Sequence, residues 1–417
     1  MLKISRRAVH AGFFGLVAAS ALGAKARQRS WQRVFVGSIT TDFFPANFGH
    51  HLRSDGIYTF LLDELSGEIS PPSLAAKMLS PMALTIHPSK RFLYASQSQR
   101  EGEREAPVVA FEIQGGGRLR RLNEVSSGGL GACQGVVDAS GRFLLLCSFL
   151  TADVVAIRLN DDGSLGRMTA HVGRATPGLP NPYAFPLVFP SPKPECGTVG
   201  RTSGDNCITK PHAVSLSPGQ KFALVPEINS DAVAVYRFDS TRGTLALHQM
   251  ARGRPGSGPR HIAFGTTHNH AYTSDERGSS VSAWAWDEGS GSLKWLQALA
   301  TAPEGYSAES SHGSRSNSPA DIGIHPSGKY LWISNRGHPS LAGFAIDRAT
   351  GLLSRIGFTS TGSLQCWSFA IDRSGSWLVA GLQSTDQVAI YKINANSGSL
   401  SDTGARARIG FPTSVKM

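Results

Sequence analysis

The residues of this 417-residue chain that could do chemistry together are His212, Glu227, Arg260, His261, Glu276, Asp321 and Arg336, joined by Gln134. Histidine titrates near neutral pH, and a neighbouring carboxylate tunes it as a general base. Arginine holds a carboxylate or phosphate through paired N–H groups and stabilises a developing oxyanion. Glutamine can donate and accept hydrogen bonds but offers no base. Gathered at one place, these groups make an anion site of mixed charge with a base beside it. The competing reading is a set of structural ion pairs. Other signatures fail on inspection. Gly323–Lys329 begins like a phosphate loop, but Tyr330 stands where Ser or Thr is needed and no helix pattern follows. There is no Gly-x-Ser-x-Gly elbow. His268 and His270 fall in a turn, and no zinc spacing of Cys or His occurs. No metal and no cofactor is expected.

Residues so far apart in sequence need a scaffold that converges. A period-two apolar segment followed by a turn glycine recurs seven times, as in Val108-Val109-Ala110-Phe111 with Gly117 and Val233-Ala234-Val235-Tyr236 with Gly243. The seven turn glycines are 67, 117, 163, 243, 291, 351 and 398, spaced 50, 46, 80, 48, 60 and 47 residues apart. A second hairpin precedes most copies, as in Ile86–Tyr94 and Ile324–Trp332. Four strands in a period of this length predict an all-β chain: a seven-bladed β-propeller with four antiparallel strands per blade. The first blade lacks its innermost strand, and Gly410–Val415 has the layout to supply it. The ring is therefore expected to close by the C-terminal strand joining the first blade, which removes exposed sheet edges. Aligning the repeats brings Met82, Cys133, His212, Arg260, Ala320, Trp367 and Thr413 into one column at the start of the innermost strands. The next column holds Ala83, Gln134, Ala213, His261, Asp321, Ser368 and Ser414. Glu227, Glu276 and Arg336 lie at the ends of the second strands, over the same channel mouth. The two long intervals place insertions at about 174–209 and 303–318.

Composition supports a folded β protein. Gly reaches 46 residues, charged residues are 17% and hydrophobic residues 41%, which excludes disorder and coiled coil. The net charge of +11 falls to +7 without residues 1–26, which hold Lys3, Arg6, Arg7, Lys25 and no acid. No basic run remains, so nucleic acid is not an expected partner. Residues 1–26 read as an export signal: paired arginines, an apolar stretch over Ala11–Ala24 and a small-x-small site at Ala24-Lys25-Ala26. The paired arginines resemble a twin-arginine signal, recognised by an export receptor; an ordinary secretory signal is the alternative. The propeller domain is then 27–417, with no membrane span, and the mature protein is expected to be periplasmic or secreted. Cys196 and Cys207 share one loop, where an oxidising compartment permits a bridge; two free thiols are the other reading. Oligomeric state is not encoded in any feature of the sequence.

Pro211-His212-Ala213-Val214, Val225-Pro226-Glu227, Gly256-Ser257-Gly258-Pro259-Arg260-His261, Ala320-Asp321-Ile322 and Ser334-Asn335-Arg336-Gly337-His338 resemble the lactonase family of seven-bladed propellers. That family includes 6-phosphogluconolactonase and carboxymuconate cyclases. The resemblance implies a lactone hydrolase, or a lactone-forming cyclase, acting on a small anionic or sugar lactone. It implies His212 or Glu227 as the base that activates water, with Arg260 and Arg336 holding the substrate anion and the oxyanion. His261, Glu276 and Asp321 then complete the substrate site with Gln134. The chain departs from the family at Gln134, where a histidine is usual, at Asp275-Glu276, where Asn-Glu is usual, and at Gln365-Cys366-Trp367, where Pro-Arg is common. Those departures leave a non-catalytic exported propeller, binding a ligand or protein partner, as the second reading.

Overall fold

The structure is a computed structural model, and it describes residues 29–40, 52–97, 105–173, 210–306 and 316–417. The proposed export signal, Cys196 and Cys207, all of the 174–209 insertion and residues 307–315 of the 303–318 insertion lie outside the described residues.

Seven four-stranded antiparallel sheets form the molecule. Blade 1 has the order β28(Pro412–Lys416), β1(Trp31–Ser38), β2(Gly56–Asp63), β3(Ser73–Lys77). Val36 pairs with Val415 and Phe35 with Lys416, so the last strand does complete the first sheet. Blades 2 to 7 follow in chain order, each running from its innermost to its outermost strand. Their innermost strands are β4(Pro81–Ile86), β8(Ala132–Val137), β12(Ser215–Leu216), β16(Pro259–Phe264), β20(Ser318–Ile324) and β24(Cys366–Ile371).

The core is divided in the same way. Along β9(Phe143–Ser148), alternate side chains point to opposite faces. Phe143, Leu145 and Cys147 join a buried cluster with blade 4. Leu144 and Leu146 join one with blade 2. Seven such clusters occupy the seven junctions between neighbouring sheets, including that between blades 7 and 1. The recurring turn glycine belongs to this packing. Gly163 has φ +81°, and a Cβ there would lie 2.3 Å from the Phe92 ring of blade 2. Gly243 has φ +70° and stands 2.2 Å from Phe143 of blade 3 by the same measure. Six of the seven turn glycines sit in this way on an aromatic ring of the preceding blade, while Gly117 sits on the Arg33 side chain; all seven have backbone dihedrals that favour glycine.

At the channel mouth the inner strands of blades 2, 3, 5, 6 and 7 share one irregularity. The register with the second strand shifts between Pro81 and Ala83, Ala132 and Gln134, Pro259 and His261, Pro319 and Ile322, and Cys366 and Ser368. The skipped residues are Met82, Cys133, Arg260, Ala320 with Asp321, and Trp367. A β-bulge leaves its extra residue unpaired and re-aims its side chain. This is why residues adjacent in sequence, Arg260 and His261, can serve one site.

Candidate active site

Blades 5, 6 and 7 supply a continuous polar network, against which blade 4 packs the His212 ring. Arg260, the bulge residue of β16, is completely buried. Its Nε lies 2.8 Å from Glu276 Oε2, as a charge contact without hydrogen-bond alignment. Its Nη1 donates to His261 Nε2 at 3.0 Å. Because a guanidinium only donates, Nε2 must be the accepting nitrogen, and the proton sits on Nδ1. That Nδ1–H donates to Asp321 Oδ1 at 2.9 Å, across the junction to blade 6. Asp321 also accepts from Ser368 Oγ (3.0 Å) and the Phe369 N–H (3.2 Å) of blade 7 and from the Ile322 N–H (3.0 Å). Ser368 Oγ in turn accepts the Val415 N–H of the closing strand at 3.2 Å.

Arg336, at the end of β21(Tyr330–Arg336), donates through Nη2 to Ser318 Oγ (2.7 Å) and lies 2.8 Å from the same Glu276 oxygen. Its Nε donates to the Ser318 carbonyl at 3.2 Å. One carboxylate oxygen thus bridges two guanidiniums, with side-chain exposures of 0% for Arg260, 13% for Arg336 and 18% for Glu276. Trp367 lies against both arginines, its ring centroid 6.0 Å from Arg260 Cζ and 5.1 Å from Arg336 Cζ.

His212 completes the arc. Its ring is 5.3 Å from that of His261 and 5.2 Å from that of Phe149. Its backbone N–H donates to the Pro226 carbonyl at 3.2 Å. Glu227 ends β13(Phe222–Glu227), pairs with Pro211 and accepts from Ser230 Oγ at 3.1 Å. Gln134 stays on β8 opposite Cys147, with its Oε1 buried and without a hydrogen-bond partner among the described residues.

The protonation states follow from this packing. Burial pushes Arg260 down to about 10, helped by Arg336 and opposed by Glu276; it remains a cation at neutral pH. Burial pushes Glu276 up, but Arg336 and Arg260 together outweigh it and hold the carboxyl below its ordinary range. Asp321 is also buried, which pushes it up, yet the hydrogen bonds from His261 and Ser368 and the charge of Lys416 keep it well below the usual carboxylate range. His261 falls to about 4, first through burial and then through Arg260, so it is neutral. His212 falls well below its ordinary value, first through burial and then through Arg260, His261 and Arg336. Cys133 is pushed up to about 12 by burial and is a thiol, not a thiolate nucleophile, at neutral pH.

The predicted residues His212, Arg260, His261, Glu276, Asp321 and Arg336 therefore share one locale. His261 and Asp321 stand behind Arg260 and fix its orientation. Asp275, next to Glu276, points the other way into blade 5 and accepts hydrogen bonds from Thr273, Ser280 and Ser282. The sequence columns place Trp367 at the mouth without a partner, and they do not point to Ser318 or Phe149. The bulge between Cys366 and Ser368, near the start of the inner strand, is the feature that aims Trp367 at the mouth. Among the described residues no group of three or more His, Cys, Asp or Glu could hold a metal ion. No described helix is long and apolar enough to cross a membrane.

A family described as "Lactonase, 7-bladed beta-propeller" matches residues 33–417. The 6-phosphogluconolactonase of Bacillus subtilis (strain 168) is 25% identical over 367 residues, covering 87% of this chain and 94% of that protein. A protein named 6-phosphogluconolactonase from Yersinia pseudotuberculosis is 30% identical over 264 residues, covering 59% of this chain and 75% of its own length. Among solved structures, a periplasmic gluconolactonase of Pseudomonas aeruginosa superposes with a TM-score of 0.76 at 22% identity, covering 93% of this chain and 99% of that one.

Proposed function

The chain belongs to the seven-bladed β-propeller lactonase family, and on that premise we propose that it is a lactone hydrolase whose reaction centre is the Arg260–Glu276–Arg336 cluster with His212. The observation that carries this reading is a pair of orphaned buried atoms: Arg260 Nη2 and His212 Nδ1 have no hydrogen-bond partner among the described residues. A buried polar atom left unpaired is costly. Here a donor and a ring nitrogen are left without partners on the two residues that flank the His261 ring. A bound carbonyl oxygen would satisfy the first, and a water the second.

Water attacks the ring carbonyl carbon while His212, neutral at neutral pH, takes its proton. The negative charge on the carbonyl oxygen falls to Arg260, supported by Arg336. The tetrahedral intermediate then collapses, the ring C–O bond breaks, and the alkoxide recovers the proton from His212. The product is a hydroxy acid, with no change of oxidation state. Burial strengthens each electrostatic contribution. Asp321 and His261 hold the Arg260 fork in place. The same family members named 6-phosphogluconolactonase support a sugar lactone as the substrate class.

The test is pH-stat titration of purified protein on a panel of γ- and δ-lactones, corrected for spontaneous opening. Arg260→Met should lower kcat/KM by about 10²–10³-fold, and His212→Asn by about 10²-fold or more. Absence of turnover on every lactone, or an Arg260→Met variant with unchanged rate, overturns the proposal. We also propose that residues 1–26 export the protein; N-terminal sequencing of protein recovered from the cell envelope or medium should begin near Arg27.

A further inference from the structure

Trp367 is the bulge residue of β24, half-buried, with its indole against both guanidiniums. On the other side of the polar arc Phe149 meets the edge of the His212 ring and lies under the Lys210 ammonium, 4.6 Å away. The charged arc of blades 4 to 6 is therefore bracketed by aromatic plates from blades 3 and 7.

The hydrogen-bonding capacity between them is mostly committed. Arg336 serves Ser318 and Glu276. Arg260 serves His261 and contacts Glu276, leaving Nη2 open. The two guanidiniums share Glu276, and Asp321 stands behind the neutral His261, so two cations are matched by two carboxylates and the centre of the cluster carries no net charge. In the surrounding ring, Lys210, Arg277 and Lys416 stand against Glu227 and Asp231. Among the described residues five cations then oppose four carboxylates. A phosphoryl group brings a charge of about −1.5 to −2 and three strong acceptor oxygens, and is held where arginine forks are open to it. A neutral lactone asks for less: one donor at its carbonyl oxygen, and a flat surface for the C–H face of its ring.

We propose that Trp367 is the stacking platform for the ring of an unphosphorylated lactone and the residue that sets this specificity. The inference rests on the lactone-hydrolase reading and deepens it. The indole covers the ring face while Arg260 Nη2 meets the carbonyl. It also excludes water from the arginines, which strengthens their effect on the oxyanion.

The experiment compares D-glucono-δ-lactone with its 6-phosphate in the wild-type protein and in Trp367→Ala, Trp367→Phe and Lys210→Met. Each variant is first matched to the wild type by far-ultraviolet circular dichroism. Binding is measured separately with the corresponding δ-lactam, which resists hydrolysis. The expected result is a kcat/KM at least tenfold higher for the unphosphorylated lactone. Trp367→Ala should raise both KM and the lactam Ki by about two- to tenfold, the range of an aromatic contact, and Trp367→Phe should restore most of the loss. A preference for the phosphorylated lactone that disappears in Lys210→Met overturns the inference. So does a Trp367→Ala variant with unchanged KM and Ki. If no lactone is turned over but the lactam binds and depends on Trp367, the platform stands and the hydrolase reading falls. If the lactam does not bind either, both fall.

Discussion

Replacing Glu276 by glutamine removes one negative charge and almost no volume, and its consequences can be worked out from the geometry. One Glu276 oxygen lies 2.8 Å from Arg260 Nε and 2.8 Å from Arg336 Nη2. In Glu276→Gln two guanidiniums, one of them wholly buried, face each other without a counter-ion. Breaking a buried ion pair by removing one partner costs about 3–5 kcal/mol, because the remaining charge is left uncompensated. Guanidinium unfolding followed by tryptophan fluorescence should show a loss of that order. Glu68→Gln, at an exposed ion pair with Arg29, should change stability by less than about 0.5 kcal/mol. Adding Arg260→Met to Glu276→Gln should recover much of the loss, giving a coupling of a few kcal/mol in the double-mutant cycle. The pH dependence gives an independent check. Glu276 is held below its ordinary value of 4.5, so its contribution is fully present above that pH. It disappears as pH falls through the lower folded value. The variant should lack this part of the acid limb. A Glu276→Gln protein that unfolds at the same denaturant concentration as Glu68→Gln would refute the reasoning, since the two arginines would not then depend on one shared carboxylate.

Three further outcomes follow from the same structure. Gly337 has φ +101°, and a Cβ there would lie 2.1 Å from the Ser316 carbonyl oxygen; Gly337→Ala should destabilise the fold and lower kcat/KM by displacing its neighbour Arg336. Deleting residues 412–417 removes the inner strand of blade 1 and its pairing with Val36, so unfolding should become broader and begin at lower denaturant, while an unchanged transition would contradict ring closure. Because burial and Arg260 hold His261 near 4, and His212 is likewise depressed, the unfolded chain binds more protons than the folded one below the ordinary histidine value of 6.5. Stability should therefore be full above that pH and decline as pH falls toward 4, while kcat/KM should stay level well below pH 6; an acid limb centred at 6.5 would show that His212 is not buried beside the arginines.

Much of the architecture was legible because it repeats. Period-two alternation and the turn glycine report a local constraint copied seven times and so count the blades, while the first blade, short of its innermost strand, points to Gly410–Val415 as the closing strand. The mouth residues were legible to the level of a column, because alignment of repeats is alignment in space around a ring. What the columns could not show was direction. Asp275 and Glu276 are neighbours, yet strand alternation turns Asp275 inward to three hydroxyls and Glu276 to the arginines. His261 was read as a substrate contact, but the pairing that occupies both its nitrogens reaches Asp321 on the next blade, a relation that no single repeat contains. Trp367 has no partner within its own repeat; its meaning comes from two guanidiniums contributed by blades 5 and 6.

The recurrent bulge has a consequence for how such a molecule can change. A residue skipped by the ladder can be exchanged without disturbing any inter-strand hydrogen bond, so its identity is free of the demands that hold the sheet together. The methionine, cysteine, arginine and tryptophan at matching bulges in four blades illustrate that freedom within one polypeptide. The scaffold behaves as a set of interchangeable sockets, in which new substrate preferences can arise through few replacements and with little loss of rigidity.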